Sequence, residues 1–108
     1  MSSEYTVGLQ PFAIASFNTN GDNTVIAGVT GQKIYVYSVL ISGGTATDVT
    51  FKDGASTIVG GPHIQVKNVD LEFQQLGYPL FTCSSGNNLV INLGAGNAFG
   101  GTIWAAQR

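Results

Sequence analysis

Residues 32–44 read QKIYVYSVLISGG, and from Ile34 to Ile41 seven of eight side chains are apolar, Ser38 being the exception. Successive side chains of a strand point to opposite faces, so this strand is apolar on both. With Ile34, Val36, Ser38 and Leu40 turned to the core, Tyr35, Tyr37, Val39 and Ile41 face away from it. Burying such side chains is worth about 1.5–3 kcal/mol each, so four left bare would forgo about 6–12 kcal/mol. That matches the whole stability of a domain, about 5–15 kcal/mol. The second face therefore needs cover, from the chain itself (residues 5–17 or 68–77) or from a neighbouring subunit. The two tyrosines favour the subunit, because tyrosine is enriched at interfaces.

The same reading extends along the chain. Short runs of β-formers recur at FAIASF (12–17), NTVIAG (23–28), KIYVYSVLI (33–41), TDVTFKD (47–53), STIVG (56–60), HIQVK (63–67), PLFTCS (79–84), NLVINLG (88–94) and GGTIWAA (100–106). Between them stand NTNGDN, TGQ, SGGTA, DGA, GGP, SSGNN and AGNAFG, whose Asn-Gly and Asp-Gly steps suit tight turns. No segment carries a long, capped helical period; NVDLEFQQLG (68–77) reads as a loop or short turn. The expectation is an all-β, single-domain antiparallel β-sandwich, jelly-roll-like. An immunoglobulin-like sandwich is the alternative, without the Cys…Trp…Cys framework of antibody domains. Residues 1–10 read as an N-terminal arm and 11–108 as the domain.

Composition narrows the function classes. Charged residues are 9% of the chain, against roughly 25% in an ordinary domain. The polar surface is then made of Ser, Thr, Asn and Gln, as on virion and extracellular proteins or surfaces covered by partners. Lys33, Lys52, Lys67 and Arg108 are scattered singly at a net charge of −2, without the cationic cluster that nucleic acid requires. No apolar run is long enough to span a bilayer. The N-terminal MSSEYTVGLQ lacks the basic and apolar regions of a secretory signal, so the expectation is synthesis in a cytoplasm without export by that route. Cys83 is the one cysteine; it reads as a small buried hydrophobe.

The inventory for catalysis is thin. His63 is the one histidine, which rules out a histidine-based metal cluster, and it reads as a hydrogen-bonded or exposed strand-end residue. Asp48 and Asp53 differ in parity and so point to opposite faces of one strand. Asp70 and Glu72 share parity, but two carboxylates make only a weak cation or glycosidase signal. GAGNAFG departs from the dinucleotide fingerprint and precedes no helix. The outward aromatics Tyr5, Tyr35, Tyr37, Tyr78 and Trp104 suit stacking on a partner or a sugar; with Ile103 in the core, Trp104 points outward. Neither a catalytic site, a cofactor nor a metal is expected.

Residues 17–57 resemble a block found in small proteins encoded by tailed bacteriophages. The shared features are a Gly-Asp-Asn turn, a Val/Ile strand, a Gly-x-Lys-Ile step, a long apolar strand and V-x-F-x-D-G at 49–54. GGP at 60–62 and a final strand opening on Gly100-Gly101 extend the likeness over most of the chain. The resemblance implies a virion structural protein, and some related small β proteins are capsid decoration (cement) proteins. It implies a homotrimer on the outside of an icosahedral head, with the major capsid protein and itself as partners. No nucleic acid and no membrane enter this picture. The expected interface residues are Tyr35, Tyr37, Val39, Ile41 and Trp104. A tail-fibre or host-recognition module that binds glycans is the alternative.

Overall fold

Among the described residues, nine antiparallel strands account for the apolar runs: β1 (Leu9–Phe17), β2 (Gly21–Ile26), β3 (Ile34–Gly43), β4 (Thr47–Asp53), β5 (Thr57–Gln65), β6 (Leu71–Gln74), β7 (Phe81–Cys83), β8 (Leu89–Leu93) and β9 (Phe99–Gln107). The computed structural model describes residues 9–17, 21–43, 47–65, 71–74, 78–94 and 99–108.

The strands form two sheets. One runs β1-β9-β3-β6, with β7 also paired to β3; the other runs β2-β8-β4-β5. The first strand thus pairs with the last, β2 with β8, β3 with β6 and β7, and β4 with β5. This nesting, with the pairs alternating between two facing sheets, is the jelly-roll order. The immunoglobulin order, ABED against CFG, is not the one seen. The first sheet contributes Ile34, Val36, Val39, Ile41, Cys83, Phe99, Ile103 and Ala105 to the core, and the second Ile26, Val49, Phe51, Leu89, Ile91 and Leu93.

Strand β4 has the bounds expected for it, and its alternation is regular. Val49, Phe51 and Asp53 are buried, while Asp48, Thr50 and Lys52 turn outward. The expected opposition of Asp48 and Asp53 follows from this.

Strand β3 departs from regular alternation, and this corrects the reading of its second face. Val36 lies opposite Ala105, yet Ser38 lies opposite Trp104, so Tyr37 is an extra residue on β3. The bulge falls where β3 changes its other neighbour, from β7 at Val36 to β6 at Ser38. Leu80 N–H reaches across to Val36 C=O at 2.7 Å. An inserted residue reverses the facing of everything beyond it. Val39 and Ile41, expected to face away from the core, are therefore fully buried in it, and Leu40, expected inside, is exposed. Most of the apolar residues of both parities end on one face, so most of the cover sought for the second face is not needed.

Other boundaries also moved. The expected break GGP lies inside β5, which runs from residue 57 to 65 as one strand. Proline is tolerated there because β5 is an edge strand, where no ladder needs its missing N–H. Part of 68–77, read as a loop or turn, forms β6, paired to β3 through Leu71–Gln74; the rest of it lies outside the described residues. Leu9 and Gln10, placed in the N-terminal arm, belong to β1 opposite Ala106 and Ala105. Residues 1–8 lie outside the described residues.

Candidate interaction surface

The outer face of the five-stranded sheet is centred on β3 and β9, its two innermost strands. Beyond the bulge, Ser38, Leu40 and Ser42 point outward from β3, with Thr102 and Trp104 beside them on β9. Ser38 is opposite Trp104 and Leu40 opposite Thr102, so the indole and the leucine are diagonal neighbours on one face. Trp104 is 43% exposed and Leu40 39%. None of these five side chains carries a charge.

The face closes toward the C-terminus. The Arg108 guanidinium lies 4.5 Å from the centroid of the Tyr35 ring, a cation–π contact worth about 0.5–1 kcal/mol at an exposed site. Tyr35 is half-buried in consequence, and Ala106 opposite it is buried. Tyr37, the bulge residue, is 5% exposed.

Of the five residues expected at an interface, Trp104 is thus on the surface, with Ile103 in the core as expected. Tyr35 is partly covered, Tyr37 is nearly enclosed, and Val39 and Ile41 are core residues that cannot reach a partner. Leu40 was missed because regular alternation assigned it to the core. Ser38 and Ser42 held a signal: two serines in phase with Leu40 mark the even positions as the outward ones.

The outer face of the other sheet has a different chemistry. Lys52 Nζ donates to Asp22 Oδ1 at 2.9 Å, and Asn92 Nδ2 donates to the same oxygen at 2.7 Å. These hydrogen bonds, that from Asn92 foremost, hold the exposed Asp22 carboxyl below its ordinary value. Ion pairs this exposed contribute about 0–1 kcal/mol, so the pair marks a solvated surface.

One end of the sandwich is tied together by its loops. Burial pushes the Asp53 carboxyl up, but three hydrogen bonds outweigh it and hold the group below its ordinary value. They come from Ser84 N–H at 3.0 Å, Asn87 Nδ2 at 3.0 Å and Ser84 Oγ at 2.8 Å. Gly28 N–H donates to Asn88 Oδ1 at 2.7 Å. A Cβ on Gly28 would overlap the Gly86 carbonyl, so only glycine allows the two loops to meet. The adjacent Cys83 is buried, and burial together with the Asp53 charge pushes its thiol up to about 12. It is the small buried hydrophobe expected.

Among the described residues the candidate catalytic groups do not converge. His63 sits within β5 opposite Val49, not at a strand end, with its ring 5.9 Å from that of Phe51. Asp70 and Tyr5 lie outside the described residues; Glu72 stands opposite Leu40 in register on β6. Among the described residues no group of three or more His, Cys, Asp or Glu is placed to hold a metal. The described residues include no helix long and apolar enough to cross a membrane.

The arrangement is suited to burying uncharged, partly aromatic area against a partner. Comparison with family models, with curated proteins and with solved structures gave no match.

Proposed function

We propose that this chain is a non-enzymatic structural protein that works as a homo-oligomer, a trimer, and decorates the outside of an icosahedral phage head. The observation that carries the reading is the uncharged outer face of β3 and β9, where Leu40 and Trp104 stand together on the two innermost strands. The occupant of that face is a second copy of the chain. The outward side chains of β3 and β9 put no charge at the centre of that face to repel its own copy, whereas the opposite sheet presents the Asp22–Lys52 pair to solvent. Tryptophan is enriched among the residues that dominate binding energy at interfaces. The likeness of residues 17–57 to small tailed-phage proteins supplies the setting, and jelly rolls recur in viral capsid domains.

In this role the protein adds buried area across joints of the shell. A trimer gains from multivalency, because once one subunit binds the major capsid protein the others bind intramolecularly. Quantitative mass spectrometry of purified particles tests the reading: a decoration protein is present in tens to hundreds of copies relative to the major capsid protein. A handful of copies moves the protein to the tail, and absence from particles removes the virion role.

Glycan recognition in a tail fibre is the second reading, favoured by Tyr78 at 67% exposure and by Trp104. Trp104 is the one tryptophan, so its fluorescence reports directly on that face. A saturable change on millimolar titration with host-envelope glycans would favour this reading, and no response to any of them would remove it.

A further inference from the structure

A cleft of about 190 Å³, open to solvent on one side, lies between the edge strand β5 and the short β7, away from the Leu40–Trp104 face and independent of the reading given to it. Its walls are Phe51, Val59, Gly60, His63, Leu80 and Phe81. Strand β5 is shaped for it by two bulges. One extra residue falls between His63 and Gly60, and a second between Gly60 and Ile58. Bulges bend a strand and re-aim its side chains, and here they occupy the stretch that lines the space.

Gly60 keeps the space open. A Cβ at that position would lie 3.6 Å from the Phe51 ring and 3.8 Å from His63 Nε2, in ordinary contact with both. A side chain there would therefore grow into the cleft without striking backbone.

The wall chemistry selects the occupant. The Phe51 and Phe81 rings are 5.3 Å apart at 34°, and the Phe51 and His63 rings 5.9 Å apart at 57°. Aromatic rings favour offset or edge-to-face neighbours at centroid separations of about 4.5–7 Å, so a further ring has partners on several sides. A closed apolar cavity of about 150 Å³ accommodates benzene; this open cleft of about 190 Å³ has room for one ring with a small substituent, part of which stays in water. Among the described residues of the wall, His63 is the one polar side chain. The described wall residues include no carboxylate or ammonium to offset the desolvation of a charged ligand.

We propose that this cleft binds a free small molecule built on one neutral six-membered aromatic ring with a single hydrogen-bonding substituent, the phenol class. The ring lies against Phe51 and Phe81 with its substituent on the His63 side.

Phenol titrated into the full chain, followed by NMR of the His63, Phe51 and Phe81 ring resonances, tests this. Saturable one-to-one shifts with phenol are expected, and none with benzoate, which has the same ring and a charge. Gly60→Val fills the space and loses the shifts while the melting temperature holds or rises. Gly60→Ala, which adds one methyl in ordinary contact, weakens binding and serves if the valine variant does not fold. Absence of a saturable shift with phenol in the unmodified chain overturns the proposal. So do equal shifts with benzoate, or undiminished binding in a folded Gly60 variant.

Discussion

Ser38 on β3 sits opposite Trp104 on β9, while Val36, two residues earlier, sits opposite Ala105, the immediate neighbour of Trp104. Tyr37 is the residue left over, and that single insertion decides which half of the long apolar strand meets the core. Before it the even positions 34 and 36 are buried; after it the odd positions 39 and 41 are. The same step delivers Leu40 to the surface beside Trp104, so the bulge creates the face on which the proposed assembly depends.

Neighbouring substitutions beyond the bulge should therefore behave oppositely. Ile41→Ala removes a fully buried side chain and should lower the unfolding free energy by about 2–5 kcal/mol. Leu40→Ala, on the outer face, should change it by no more than about 0.5 kcal/mol. Urea unfolding at low protein concentration separates the two. The reverse order would mean that β3 alternates regularly through Tyr37.

Asp53 gives the fold an acid limit. Its carboxyl titrates below the ordinary value of 3.8 when folded, so the folded state binds this proton less readily than the unfolded state. The resulting stabilisation is complete above the unfolded value and is lost as pH falls through it toward the lower folded value. Asp53→Asn sets an amide where three donors converge, and only its carbonyl oxygen accepts. It should cost about 1–3 kcal/mol at neutral pH and flatten the acid limb of stability against pH. An unchanged acid limb in the variant would assign that limb to other carboxylates.

The Cys83 thiol should be inert while the protein is folded. It is buried with its pKa pushed up to about 12, so almost no thiolate exists at pH 8 and reagent has no path to it. Labelling with a disulfide reagent should be negligible in buffer and complete in denaturant. Rapid labelling of the native protein would mean that the tied end of the sandwich opens locally.

Much of the fold was legible because short β runs and Gly, Asn or Asp turns carry their own signals. TDVTFKD has the bounds of β4, and Ile103 beside Trp104 divided inside from outside correctly. What escaped was set by the ladders. A bulge at Tyr37 leaves no mark in composition, since any residue can be the unpaired one. GGP reads as a break, yet an edge strand has a free side on which proline costs no ladder bond. The short β6 gains its definition from pairing with β3, which local pattern does not contain. Trp104 was readable as an outward residue; for its partner Leu40 the only hint was the phase of Ser38 and Ser42, and the register settles it.

Association through the Leu40–Trp104 face is the central claim, and sedimentation velocity of the purified chain tests it most directly. The unmodified protein should sediment as a trimer at micromolar concentration. Leu40→Glu and Trp104→Glu should sediment as folded monomers, since a carboxylate among the uncharged side chains of β3 and β9 would have to be desolvated in the interface, while the core is untouched. A monomeric unmodified protein, or a trimer indifferent to both substitutions, would contradict the claim.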